Sequence, residues 1–281
     1  MKFSEHVYFR RVYFSLPLQE VSSPRSVFIS LIKGSKKNIL VDSGVSYNYP
    51  DLVALCAEAG LTLDDIDIML VTHYHPDHIG GLPRLSQEYP HMQIYAHAHC
   101  KEMVENIDKH FSHRPMAGFH YLIPGNAIVS HVLSDNEVID AGDVQIQVIF
   151  TPGHSKDSVS FYIPEESLLL AGDALPDIHG MPIYDDLDQL FASFDRMEKI
   201  GASHVLSSFS GLWDPEAGNC YTQTRAYVQK VQRAVDEFEK SSPSGTLEEL
   251  GAYVLKQLNV SGKPMGVFLN TVKLHLGKMH H

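Results

Sequence analysis

The segment His73-Tyr74-His75-Pro76-Asp77-His78 constrains this chain more tightly than any other, because it gathers four metal-binding side chains within six residues. Asp67 to Thr72 precedes it as an apolar run of strand length. Gly80-Gly81 follows and loosens the backbone as the chain turns into a helix. Donors at the end of a buried strand stand on a rigid platform, which is where a metal site has to be built. Imidazoles combined with carboxylates suit Zn, Fe, Mn or Ni better than Mg or Ca. A histidine-rich surface turn is the plain alternative, but H-x-H-x-D-H directly behind an apolar strand favours a metal.

Three further strand ends carry matching residues. Asp42 closes Ile39-Leu40-Val41-Asp42, His154 follows Thr151-Pro152-Gly153, and Asp173 follows Ala171-Gly172. In this order and spacing the chain resembles the metallo-β-lactamase-fold hydrolases over at least residues 25 to 215. The resemblance implies that His73, His75 and His154 hold one metal, with Asp173 reaching it as a bridge. It implies that Asp77, His78 and Asp173 hold a second, and that Asp42 orients a ligand from behind. Zinc is the expected ion, with iron or manganese as alternatives, and one or two ions are expected.

A fifth part of the family's pattern, a late His at a strand end, has no match. The corresponding stretch reads Val205-Leu206-Ser207-Ser208-Phe209-Ser210-Gly211, with Phe209 at the ligand position. His204 cannot replace it from the opposite end of the same strand, since such a strand separates its ends by roughly 16 Å. Three readings stay open: a water or one of Ser207, Ser208 and Ser210 completes the second site, the chain works on one metal, or hydrolysis has given way to ligand binding.

Strand-like stretches recur at 7–14, 26–32, 38–42, 67–72, 92–96, 144–150, 158–163, 167–171 and 204–208, with helical patterns at 51–59 and 186–200. Two sets of strands with intervening helices fit a layered α/β fold. By resemblance this is a four-layer αββα sandwich, spanning residues 1–219. Residues 97–140, rich in histidine and aromatic side chains, interrupt the pattern as an insertion or lid. Residues 220–281 read as a helical extension that packs on the core or mediates a homodimer. It contains a helix at 222–240, Thr246-Leu247-Glu248-Glu249 opens the next as a capping box, and a final helix includes Thr271 to Leu276. His280-His281 carry no assigned role.

A net charge of -12 argues against binding nucleic-acid backbones. Cys56, Cys100 and Cys220 form no C-x-x-C pair and suit a reducing compartment. The first residues lack a secretory pattern, and no apolar run approaches the ~20 residues that span a bilayer. The expectation is therefore a cytoplasmic protein acting on a small molecule, with neither nucleic acid nor membrane as partner. The leading expectation is a metal-dependent hydrolase of an ester, lactone or thioester, with Asp77 and Asp173 as catalytic carboxylates, similar to the lactonase and glyoxalase II-like branches. A mononuclear iron dioxygenase of the same fold and a non-catalytic sensor are the alternatives.

Overall fold

The structure is a computed structural model that describes residues 1–15, 25–213 and 219–277. His280 and His281 lie outside the described residues. Two six-stranded sheets form its centre. The first holds β1 (Val7–Phe14), β2 (Arg25–Lys33), β3 (Asn38–Val41), β4 (Ile68–Leu70), β5 (Gln93–Ala96) and β6 (His131–Val132), side by side in chain order. The second holds β7 (Val138–Asp140), β8 (Gln145–Phe150), β9 (Val159–Ile163), β10 (Leu168–Gly172), β11 (His204–Ser207) and β12 (Gly211–Trp213), again in chain order. Antiparallel pairs open each sheet and need only turns. The parallel pairs from β3 to β6, and β10 with β11, need crossovers.

Helices supply those crossovers. α1 (Tyr49–Glu58) joins β3 to β4, and α2 (Pro76–Ile79) and α3 (Leu82–Glu88) join β4 to β5. α4 (Ala98–Glu105), α5 (Ile107–His113) and α6 (Phe119–Leu122) lie between β5 and β6, and α7 (Leu187–Ile200) joins β10 to β11. α8 (Cys220–Ser241), α9 (Leu247–Leu258) and α10 (Gly266–Lys273) complete the described chain. The Asp186 side chain caps α7 by accepting from Gln189 N–H, and Gly201 ends it at φ 70°.

Strand alternation creates the layers. Val7, Phe9, Ile39, Val41, Ile68 and Leu70 of the first sheet meet Ile146, Val148, Phe161 and Leu170 of the second. The opposite face of the first sheet, including Val27, Ile29, Leu40 and Met69, packs under α1, α3 and α4. Leu169, Ala171 and Val205 of the second sheet pack under α7 and the start of α8. This is the expected αββα sandwich with C-terminal helices. No helix among the described residues is long and apolar enough to cross a membrane.

The stretch 97–140 is more integrated than its irregular sequence suggests, because β6 and β7 at its far end complete one edge of each sheet. Strands of two or three residues carry no readable periodicity. The last helix spans Gly266–Lys273, so it takes in Thr271 but ends before Leu276; its N-cap, Met265, offers no capping side chain that would mark the start in sequence.

Candidate metal centre

Asp42 follows β3, His73 and His75 follow β4, Asp77 and His78 lie on α2, His154 sits in the β8–β9 loop, and Asp173 follows β10. All stand at one edge of the two sheets. Thr72 ties the sheets together there: its carbonyl accepts from Val159 N–H at 2.8 Å. Its backbone N–H and hydroxyl donate to the two Asp42 oxygens at 2.8 and 2.7 Å. That pair of bonds holds Asp42 in the left-handed region, at φ 60°.

The hydrogen bonds decide which imidazole nitrogens are free. The Thr72 hydroxyl proton is committed to Asp42, so at 3.1 Å His73 Nδ1–H donates to Thr72 Oγ1. His154 Nδ1–H donates to the Ile183 carbonyl at 2.8 Å. Both rings therefore present a bare Nε2, and each lies 2.9 Å from His75 Nδ1. Asp173 Oδ2 stands 3.7 Å from His73 Nε2 and 3.3 Å from His154 Nε2. One proton on His75 cannot satisfy such an assembly. Burial, together with neighbouring cations, lowers the pKa of His73 and His75 well below the ordinary value, favouring neutral rings with lone pairs available.

The donor atoms of His73, His75, His154 and Asp173 all lie within 4.8 Å of one another, and all four residues are buried. Ligands about 2.0–2.1 Å from a tetrahedral ion are separated by about 3.3 Å. The observed spacings bracket that edge, so the residues fit a divalent metal.

Asp77 and His78 stand beside this cluster rather than within it. His78 Nδ1–H donates to Asp42 Oδ2 at 2.7 Å. Its Nε2 lies 3.2 Å from Asp173 Oδ1 and 4.0 Å from Asp77 Oδ2. His78 Nε2 and Asp173 Oδ1 are both buried without an aligned hydrogen bond, as expected of two donors facing a third point. Burial disfavours a charged His78, but Asp173 and Asp42 outweigh it and raise its pKa. Burial likewise opposes an ionised Asp173, yet His78, His154 and His73 hold its carboxyl far below the usual range.

The β11–β12 turn brings Ser208 against this region. Ser208 N–H donates to the Gly172 carbonyl at 3.0 Å. Ser208 also lines, with Asp42, Thr72, Gly172 and Ser30, a cavity of about 10 Å³, close to the minimum that admits one water. His204 pairs with Leu168, at the end of β10 remote from Asp173.

Two residues of the site carried no sequence signal. Thr72 looked like ordinary strand. Asp157 is fully buried, and its Oδ2 accepts from Tyr74 N–H at 2.8 Å, between His73 and His75. In the 97–140 stretch, His97 caps α4, while His110 packs 5.0 Å from Tyr74 and 4.7 Å from Phe119. Burial lowers the His110 pKa to about 3. These histidines form no second cluster of convergent metal donors among the described residues.

Comparison with known proteins adds the family. The metallo-beta-lactamase superfamily model matches residues 22–242. A probable hydroxyacylglutathione hydrolase of Schizosaccharomyces pombe is 34% identical over 113 residues, covering 40% of this chain and 34% of that protein. A metallo-beta-lactamase fold-containing protein of Sulfurisphaera tokodaii is 25% identical over 240 residues, covering 79% of this chain and 87% of that one. Among solved structures, a metallo-beta-lactamase family protein of Thermus thermophilus superposes with a TM-score of 0.75 at 21% identity, covering 98% and 93% of the two chains. The chain spans well under two thirds of the length of several curated relatives, including 34% of the first and 59% of one from Caenorhabditis elegans.

Proposed function

The chain belongs to the metallo-beta-lactamase superfamily, and from that membership we propose that it is a metal-dependent hydrolase of a small ester, lactone or thioester. The observation that carries the reading is the convergence of three imidazoles and one carboxylate on a single buried point. Zinc suits that donor set first, with iron or manganese as alternatives. Similarity to a protein named as a hydroxyacylglutathione hydrolase supports keeping thioesters in the substrate class.

His73, His75, His154 and Asp173 would hold a divalent ion, which would supply Lewis acidity and activate water near neutral pH. The chain's own residues do the rest. Thr72 and Ile183 fix the His73 and His154 rings so that each Nε2 faces inward. Asp42 anchors His78, whose Nε2 then faces Asp173 and Asp77. Asp77 is the more open of the two inner carboxylates, with 23% of its side chain exposed against 3% for Asp173. It is therefore the group placed to carry a proton to the departing alcohol or thiol. Water adds to the acyl carbon, the bond to the leaving group breaks, and the products are an acid and an alcohol or thiol.

Asp77→Asn should lower turnover of the best substrate by about two orders of magnitude, the usual loss of acid–base help. Asp173→Asn should also release metal, which elemental analysis would register. Both variants are to be assayed with the parent on an ester, lactone and thioester panel. Full turnover by Asp77→Asn would discard its proton role. A metal-loaded parent that turns over nothing would discard hydrolysis. Because the tight cluster holds a single set of donors, a one-iron dioxygenase is the second reading, and oxygen uptake with a persulfide is its signature.

A further inference from the structure

Residues 107–121 lie against the ligand-bearing loop on two anchors. Along that stretch His110 of α5 and Phe119 of α6 are buried, and the rest are half-buried or exposed. The anchors meet ring to ring at 4.7 Å, and His110 packs 5.0 Å from the ring of Tyr74, the residue between His73 and His75. Tyr74 in turn stands 5.1 Å from the His75 ring and so separates His110 from the metal donors. Hydrogen bonds hold the stretch near its ends. Ile107 N–H donates to Asn126 Oδ1 at 2.7 Å, and the Ser46 hydroxyl donates to the Tyr121 carbonyl at 2.7 Å. Between those ends, the ring contacts with the ligand loop are those of His110 and, at 6.1 Å, of exposed His113.

Histidine is a costly anchor in such a place. The His110 ring is fully buried, and neither of its nitrogens has a hydrogen-bond partner, although each would find one in water. Leucine or phenylalanine would fill a socket between two aromatic rings without that loss. What sets histidine apart is a charge that changes between pH 5 and 8. The groups facing it are Tyr74 from the ligand loop, Phe119 from α6, and His113 and Arg114 at the end of its own helix. Of α4, which packs on α5, Glu102 is paired with Lys109 and His99 lies 6.2 Å from His113. None of these holds a proton on the ring. Burial, and then the charges of Arg114 and His113, lower the His110 pKa to about 3 from the 6.5 of a ring in water. The seated ring thus refuses a proton that a released ring accepts. Seating is fully favourable above pH 6.5 and weakens as pH falls from there toward 3.

We propose that residues 107–121 are a strap over the ligand loop that acid releases, with His110 as its latch. Release bares Tyr74 and opens the metal edge on the side of α5, whereas at neutral pH the strap stays seated. The strap governs access to the site and is independent of the hydrolase reading.

Hydrogen–deuterium exchange read by mass spectrometry tests this on the zinc-loaded chain from pH 5 to 7.5. Rates are corrected for the intrinsic effect of pH, and zinc content is checked at each point. The parent is compared with His110→Phe and His110→Leu, two apolar replacements that cannot titrate and whose different sizes guard against a misfit in the socket. In the parent, protection of 107–121 should fall about thirtyfold from pH 7.5 to 5, the ratio that follows from the seated and released values, while α8 keeps its protection. Both variants should hold their protection constant over the same range. Equal pH dependence in parent and variants overturns the latch, and so does a parent whose strap protection does not change. Loss that spreads equally to α8 is global unfolding and overturns the strap.

Discussion

Asp157 shows how much of this site depends on a residue that binds nothing itself. Its Oδ2 accepts the Tyr74 N–H at 2.8 Å and so clamps the backbone between His73 and His75 to the loop that carries His154. Burial raises its carboxyl from an ordinary 3.8 to about 7, even though the Tyr74 N–H bond pulls the other way. Between about pH 4 and 7 the folded chain therefore holds a proton that the unfolded chain has released. Stability from this group must fall as pH rises through that window, by on the order of 4 kcal/mol at most. The neutral, buried His73 and His75 act in the opposite sense, losing stability as pH falls through their unfolded value. Asp157→Asn keeps an acceptor for Tyr74 and isolates the carboxyl. Denaturant midpoints taken across pH 4 to 7 should show the variant gaining on the parent as pH rises, whereas parallel profiles would sink the assignment. Asp157 was invisible in sequence because a lone acid in a polar loop has no spacing to mark it. The candidate metal donors were visible because His73 and His75 share one short segment with Asp77 and His78, and His154 and Asp173 follow strands.

Elements place the ligands, and the β8–β9 loop shows the constraint most sharply. Gly153 sits at φ 139°, and a Cβ there would lie 2.5 Å from the Leu190 Cα and 2.6 Å from its nitrogen. α7 is thus pressed directly onto the residue before His154, and the Gly153 carbonyl accepts from Asp185 and Asp186 N–H at 2.8 and 3.0 Å. Gly153→Ala combines a backbone conformation that L side chains avoid with a clash against main chain. It should cost at least about 2 kcal/mol and loosen metal binding, measured by unfolding and by chelator competition. Retained stability and retained metal affinity together would mean that α7 does not set the position of His154. The long strands and α7 were legible because apolar periodicity, Asp186 and Gly201 all agree there. The strands β6, β7 and β12 were not, since pairing with a neighbour, rather than local sequence, makes them strands.

At the scale of the whole molecule, the C-terminal helices connect to the metal centre through a short segment. Cys220, Tyr221 and Val228 of α8 join the core beneath α7, while Val231, Val235 and Phe238 of the same helix pack with α9 and α10. Thr271 of α10 accepts from Tyr184 N–H at 3.1 Å and donates to its carbonyl at 2.9 Å. The Tyr184 hydroxyl meets His275 Nε2 at 2.6 Å. The preceding carbonyl, that of Ile183, is the one that orients His154. A change in α10 should therefore be felt at the metal. Thr271→Val removes the hydroxyl from a fully buried position and leaves Tyr184 with unpaired backbone groups. It should destabilise by about 1–3 kcal/mol and reduce metal affinity about tenfold, the scale seen when a ligand's orienting contacts are lost. Thr271→Ser, which keeps the hydroxyl, should recover most of both. Chemical unfolding and metal competition on the same samples separate the effects. Loss of stability with unchanged metal affinity would confine α10 to holding the fold, whereas loss of both makes the helical extension part of the machinery that keeps His154 aimed at the ion.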